Sequence, residues 1–136
     1  MGQHLHSLGL AACRTPEVLR YLERGLSFKS LESFSTRSGL AVPAVASILG
    51  IPERTLARRR SAGKLSPDES ERLLRISTVF EKAVDLFEGD VPSATAWLKS
   101  PRKELDNQSP LAYSRFEVGA RDVENLIGRL EHGVFP

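Results

Sequence analysis

Cysteine is almost absent from this chain: Cys13 is the only one among 136 residues. A single thiol excludes both a disulfide framework and a thiolate metal cluster. Histidine is scarce as well, and His4 with His6 makes at best a weak N-terminal metal site. No apolar run reaches the roughly 18 residues that a bilayer span needs, and GLAVPAVASILGI is interrupted by Pro43 and Gly50. No segment sustains the period-two alternation of a strand, so there is no strand for a Gly-rich phosphate loop to follow. Carboxylate pairs such as Asp85 and Glu88 have helix-surface spacing. Neither catalysis nor a cofactor is expected. The N-terminal stretch has no cationic region followed by a cleavage pattern, which makes the cytoplasm the expected compartment.

What the chain does contain is ordinary for a soluble helical protein, with 40% hydrophobic and 26% charged residues. The net charge of +2 is small, but its distribution is uneven. Arg54, Arg58, Arg59, Arg60 and Lys64 crowd together with Glu53 as the only acid among them. Such a cluster is an electrostatic footprint for phosphate, although a solvated helix face has the same composition.

Helical punctuation runs along the whole chain. Thr15-Pro16-Glu17 reads as cap, first-turn proline and first-turn acid, opening a short helix with Val18, Leu19 and Leu22 on one stripe. Further helices are predicted over residues 27–38, 42–49 and 52–62, each followed by glycine. Ser66-Pro67-Asp68-Glu69 is a capping box with proline in the first position. The long helix it opens is predicted to reach about Glu88, with Leu73, Ile76, Phe80, Ala83, Val84 and Phe87 at helical spacing. Pro92 opens a short helix carrying Ala94, Trp97 and Leu98, and Trp97 reads as core. KSPRKELDNQSP reads as a loop, Ser109-Pro110 as a fresh cap, and EVGARDVENLIGRLEHG as a last amphipathic helix with Val123, Leu126, Ile127 and Leu130 inward.

Only Gly50-Ile51-Pro52 separates the third and fourth helices, which forces them to cross sharply. Ala46, one turn before Gly50, allows close approach, and Val45, Leu49, Ile51 and Leu56 would form the core between them. This is the pattern of a helix-turn-helix, whose second helix meets base edges with its N-terminal residues. Arg54 and Arg58 lie one turn apart on that helix and suit bidentate contact with guanine. Thr55 can reach a base edge or a phosphate, whereas Arg59, Arg60 and Lys64 are placed as phosphate contacts. The alternative is that some of these arginines only pair with Glu53, Asp68 or Glu71. Arg59 sits where many such units bury an aliphatic side chain, so either its stem packs while its charge snorkels or the helix is rotated. One unit per chain favours a two-fold homodimer on a palindromic site. The long helix, through Phe80 and Phe87, is the expected dimer surface, unless both rings pack on the C-terminal helices.

Two stretches together resemble the Xre/MbcA/ParS-type antitoxins. The first carries Arg54-Thr55-Leu56, Arg58-Arg59 and Glu69 to Leu74. The second carries Ala96-Trp97-Leu98, Pro101, Leu105, Pro110-Leu111, Gly119, Val123 and the ending Arg129-Leu130-Glu131-His132-Gly133. The resemblance covers about residues 26–135. Together with the helical punctuation, it makes an all-α protein expected: residues 1–25 a segment with a short helix, 26–88 an Xre-like helix-turn-helix domain with a long following helix, and 89–136 a C-terminal toxin-binding domain. It also implies a RES-domain toxin as partner, acting on NAD by hydrolysis or by ADP-ribose transfer, and operator DNA as the second ligand. In that reading the polar face of the last helix, with Arg121, Glu124, Asn125, Arg129 and His132, contacts the toxin, and Val134 and Phe135 act as apolar anchors. Two other readings stay open at this point. One is a stand-alone regulator whose second half senses or dimerises; the other is an interaction protein that no longer binds DNA.

Overall fold

The computed structural model describes residues 7, 8 and 14–133. The helices are α1 (Thr15–Arg24), α2 (Phe28–Ser38), α3 (Val42–Leu49), α4 (Glu53–Ala62), α5 (Pro67–Leu86), α6 (Val91–Lys99), α7 (Pro110–Tyr113) and α8 (Glu117–Glu131). A 3-10 turn, Lys103–Leu105, lies between α6 and α7. Among the described residues no strand forms, and β-type pairing is confined to the isolated bridges Ser27–Lys64 and Arg102–Gln108. His4, His6, Cys13, Val134 and Phe135 lie outside the described residues.

The punctuation acts where it was legible. Ser66 accepts from the Glu69 amide at 3.2 Å while its own amide donates to Glu69 Oε1 at 2.8 Å, closing the start of α5. The Ser109 hydroxyl accepts from the Ala112 amide in the same way. Two boundaries differ from expectation. Helix α1 starts at Thr15 with Arg14 as its cap residue, so Pro16 is second; amides there have no intrahelical partner, and proline is tolerated. Helix α5 stops at Leu86, because Glu88 turns to a positive φ of 55° that a right-handed helix cannot contain.

The stretch expected as a plain loop after α6 is instead pinned. Leu105 is buried, the Arg102 amide donates to the Gln108 carbonyl at 3.1 Å, and Asp106 and Asn107 adopt φ of 56° and 62°. Aspartate and asparagine are among the residues that tolerate this conformation. One buried leucine decides the matter, and composition gives it no weight.

Helix α5 is the axis of the packing and touches α1, α2, α3, α6 and α8. Leu73, Ile76, Val79, Phe80, Ala83 and Val84 are all buried on it. Phe80 meets Phe34 of α2 edge to face with centroids 5.4 Å apart, and Phe87 lies 6.4 Å from Trp97 of α6. The expected dimer surface is closed at Phe80, which α2 covers completely within the chain, and narrowed at Phe87, which is half-buried against Trp97 of α6. A single apolar cluster runs from Leu8 and Leu26 to Ile127, crossing the expected domain boundary at residue 88 without a break.

Two buried carboxylates tie α5 to the rest. Glu81 accepts from Arg37 of α2 at 2.9 and 3.2 Å and from the Ser7 hydroxyl, and the Arg37 guanidinium lies 5.8 Å from the centre of the Phe80 ring. Glu69 accepts from Arg59 Nε at 2.7 Å and from Nη2 at 3.2 Å, so the carboxylate that caps α5 also holds the C-terminal half of α4. Burial pushes the Glu69 carboxyl up, but the bonds from Arg59 and from Ser66 outweigh it and hold the group below its ordinary value of 4.5. A carboxyl with a depressed folded value stabilises the fold above its unfolded value, and this contribution fades as pH falls through the folded one.

A chain ending at residue 88 would strip α6 and α8 from the central helix and leave Phe87 without Trp97, and it should lose the cooperative thermal transition seen by circular dichroism for the full chain. Glu69→Gln keeps the side-chain shape but loses the charge and should cost about 1–2 kcal/mol. In urea titrations that deficit should be full at neutral pH and should close as the pH is taken well below 4.5.

Candidate DNA and partner interfaces

Helices α3 and α4 meet through Gly50, which ends α3 at φ 75° and ψ 28°, a left-handed conformation costly for residues with a Cβ. The Ile51 amide returns to the Ala46 carbonyl at 2.8 Å and fixes the turn. Val45, Ala46, Leu49, Ile51 and Leu56 are buried, so the small core read from spacing is present. The geometry is that of a helix-turn-helix.

Helix α4 buries only Leu56. A helix that gives the core one side chain derives little stability from packing, and most of its surface is open to another molecule. Arg54, Arg58, Arg60 and Lys64 are exposed, and among the described residues none of them has a carboxylate partner. Arg58 Nη2 donates to Thr55 Oγ1 at 3.3 Å, joining two of the expected contact residues. Arg60 lies over the Phe28 ring at 5.3 Å, which holds its stem against α2. Arg59 is different: its guanidinium is engaged by Glu69 and its side chain is 28% exposed. The inner position is thus filled by an arginine whose charge is met by a carboxylate within the fold. The carboxylate that answers it is Glu69, none of the three considered from sequence.

Helix α8 packs Ala120, Val123, Leu126 and Ile127 inward, against α5 and α7. Asn125, Arg129 and His132 are exposed on its outer side. Arg121 shares that side but pairs with Glu117 at 2.9 Å, an exposed i,i+4 pair of small energetic weight. Glu124 is turned toward α5, where it meets Lys82 at 3.2 Å, so it stands apart from the outer face. Gly119 is required by the fold, since a Cβ there would lie 1.7 Å from the Tyr113 carbonyl oxygen.

Sequence reasoning missed two apolar groups at the start of α8. Phe116 and Val118 are 68% and 75% exposed, more than any other large apolar side chain described. Val118 had a signal, because it falls on the polar side of the helical wheel with Arg121 and Asn125. Phe116 precedes the helix, where periodicity says nothing. Arg115 was also missed; its guanidinium lies against Gly50, in the turn of the helix-turn-helix.

Comparison with known proteins agrees with both halves. Residues 17–77 match the antitoxin Xre-like helix-turn-helix domain, and residues 82–133 match the antitoxin Xre/MbcA/ParS C-terminal toxin-binding domain. The first match takes in most of α1, which the resemblance read from sequence had left outside. The gap between the matches falls inside α5. A protein of Yersinia enterocolitica serotype O:8 / biotype 1B described as antitoxin Xre is 40% identical over 129 residues, covering 94% of this chain and 87% of its own. One of Photorhabdus laumondii subsp. laumondii with the same description is 36% identical over the same shares. Among the described residues no helix is long and apolar enough to cross a membrane. With both domains in order and relatives matched over nearly the whole chain, the protein belongs to the Xre family of toxin–antitoxin antitoxins, a family of binding proteins and not of enzymes.

Proposed function

We propose that this antitoxin neutralises a NAD-consuming RES-domain toxin in the cytoplasm through its C-terminal domain and represses its own operon through α4. The observation that carries the reading is that each matched domain offers a helix face that the fold does not use. On α4 this is the set of cations without carboxylates, Arg54, Arg58, Arg60 and Lys64. On α8 it is the outer side with Val118, Arg121, Asn125, Arg129 and His132. The resemblance of the sequence supplies the class of toxin.

Arg54 and Arg58 read bases in this proposal, with Thr55 between them. Arg60 and Lys64 bind phosphates, and Arg59 acts indirectly by holding α4 on α5 through Glu69. On the toxin side, the outer side of α8 lies in a partner groove, an established mode for an amphipathic helix. Glu124 contributes through its pair with Lys82, and Val134 and Phe135 follow the helix as apolar anchors. One helix-turn-helix per chain makes a two-fold homodimer on a palindromic operator the natural arrangement; Phe80 takes no part in it.

Co-expression with the product of a neighbouring RES-type frame tests both halves. Wild type should relieve growth arrest and restore cellular NAD. Arg121→Glu with Arg129→Glu should lose neutralisation while keeping the melting temperature, because both side chains are outside the core. Arg54→Ala with Arg58→Ala should still neutralise but lose operator binding, at about 1–3 kcal/mol for each base contact removed. A toxin equally well neutralised by the α8 double variant would overturn the partner interface. An unchanged operator shift by the α4 double variant would overturn the recognition helix.

A further inference from the structure

Between the helix-turn-helix and the start of α8 lies a groove of about 520 Å³, with Ser47, Ile48, Gln108, Arg115 and Phe116 among the residues lining it. Its position is unusual, since one wall is the last turn of α3 and the other is the loop that leads into α8. Arg115 is the charged side chain in it. A Cβ placed on Gly50 would lie 2.5 Å from Arg115 Nη2, so the guanidinium occupies the space over the turn. It is also 5.6 Å from the centre of the Phe116 ring, which holds it on its other side.

This cation is fixed but not neutralised. Arg75 Nη1 of α5 donates to the Arg115 carbonyl at 2.7 Å, and Arg75 Nη2 meets Glu71 at 2.5 Å, so the backbone of Arg115 is tethered to the central helix. Among the described residues, no carboxylate pairs with the Arg115 side chain. In a helix-turn-helix complex the second helix enters the major groove while the first crosses the sugar–phosphate backbone. Here the first helix is α3, and the groove lies along its C-terminal turn.

We propose that the groove formed by Ser47, Gln108 and Arg115 seats a backbone phosphate of the operator, so that a residue of the toxin-binding domain is part of the DNA interface. Arg115 provides the charge, and the Ser47 hydroxyl and Gln108 amide provide further donors for phosphate oxygens. The contact carries no sequence information; it sets register and adds affinity. It also places Phe116 in the same groove, with Val118, the other highly exposed apolar side chain, two residues further along the chain. A partner that covers them shares a border with the DNA site, and the two ligands would influence each other there.

The inference rests on the DNA-binding reading above, and one titration separates the two. Full-length wild type, Arg115→Ala, Arg115→Lys and the Arg54→Ala, Arg58→Ala double variant are titrated against two fluorescent duplexes over a range of salt. One duplex carries the promoter upstream of the protein's own gene, and the other is unrelated in sequence. Arg115→Ala should bind both duplexes about tenfold more weakly at low salt, and its log–log salt slope should fall by about 1. The lysine variant should keep the wild-type slope, and all variants should keep the wild-type melting temperature. Wild-type affinity and slope in Arg115→Ala would overturn the phosphate site, as would a lysine variant behaving like alanine. Unchanged DNA binding with lost toxin capture by Arg115→Ala would assign the groove to the protein partner and equally overturn it. If wild type binds neither duplex, the DNA-binding reading itself falls, and this site with it.

Discussion

Helix α5 buries Leu73, Ile76, Val79, Phe80, Ala83 and Val84, together with Ser70, Ser77, Glu69 and Glu81. These positions take in an arc wider than the stripe a surface helix turns toward one neighbour. The helix-turn-helix side cannot cover it alone, and neither can the C-terminal side. Each half is therefore part of the other's core, and the two functions of the chain rest on one shared helix. Interiors packed this closely transmit displacement, because side chains have few alternative positions.

The charges divide along the same line. Arg37, Arg59 and Arg75 are held by Glu81, Glu69 and Glu71, all of them on α5. Glu81 and Glu69 are buried, so removing Arg37 or Arg59 would leave a carboxylate uncompensated, which costs more than the pair contributes. These arginines are structural. Arg54, Arg58, Arg60, Lys64 and Arg115 have no carboxylate among the described residues, although Arg60 and Arg115 each lie over an aromatic ring. The net charge of the chain hides this division, since acids and bases nearly balance in number but not in place.

Legibility followed the range of the interactions. The capping box at Ser66, the turn at Gly50 and the small core of Val45, Leu49, Ile51 and Leu56 are local, and each was readable from neighbours in the chain. The roles of single side chains were less so. Arg59 and Arg60 are adjacent and chemically identical, yet one meets Glu69 and the other lies over Phe28. Glu124 and Asn125 are adjacent as well, and only the first turns toward Lys82. The pinned stretch after α6 depends on one leucine reaching the core.

Local patterns in the sequence are enough for helices along the chain, the place of the helix-turn-helix, the amphipathic last helix and the family to which both belong. Periodicity and caps act within a few residues, so they survive without any knowledge of the fold. Which arginines are satisfied internally, and that Phe80 is buried against α2, depend on the packing of the helices. That packing also brings Arg115 back over Gly50, although the two are far apart in sequence. Contacts of that kind arise from how helices pack, and no local pattern encodes them.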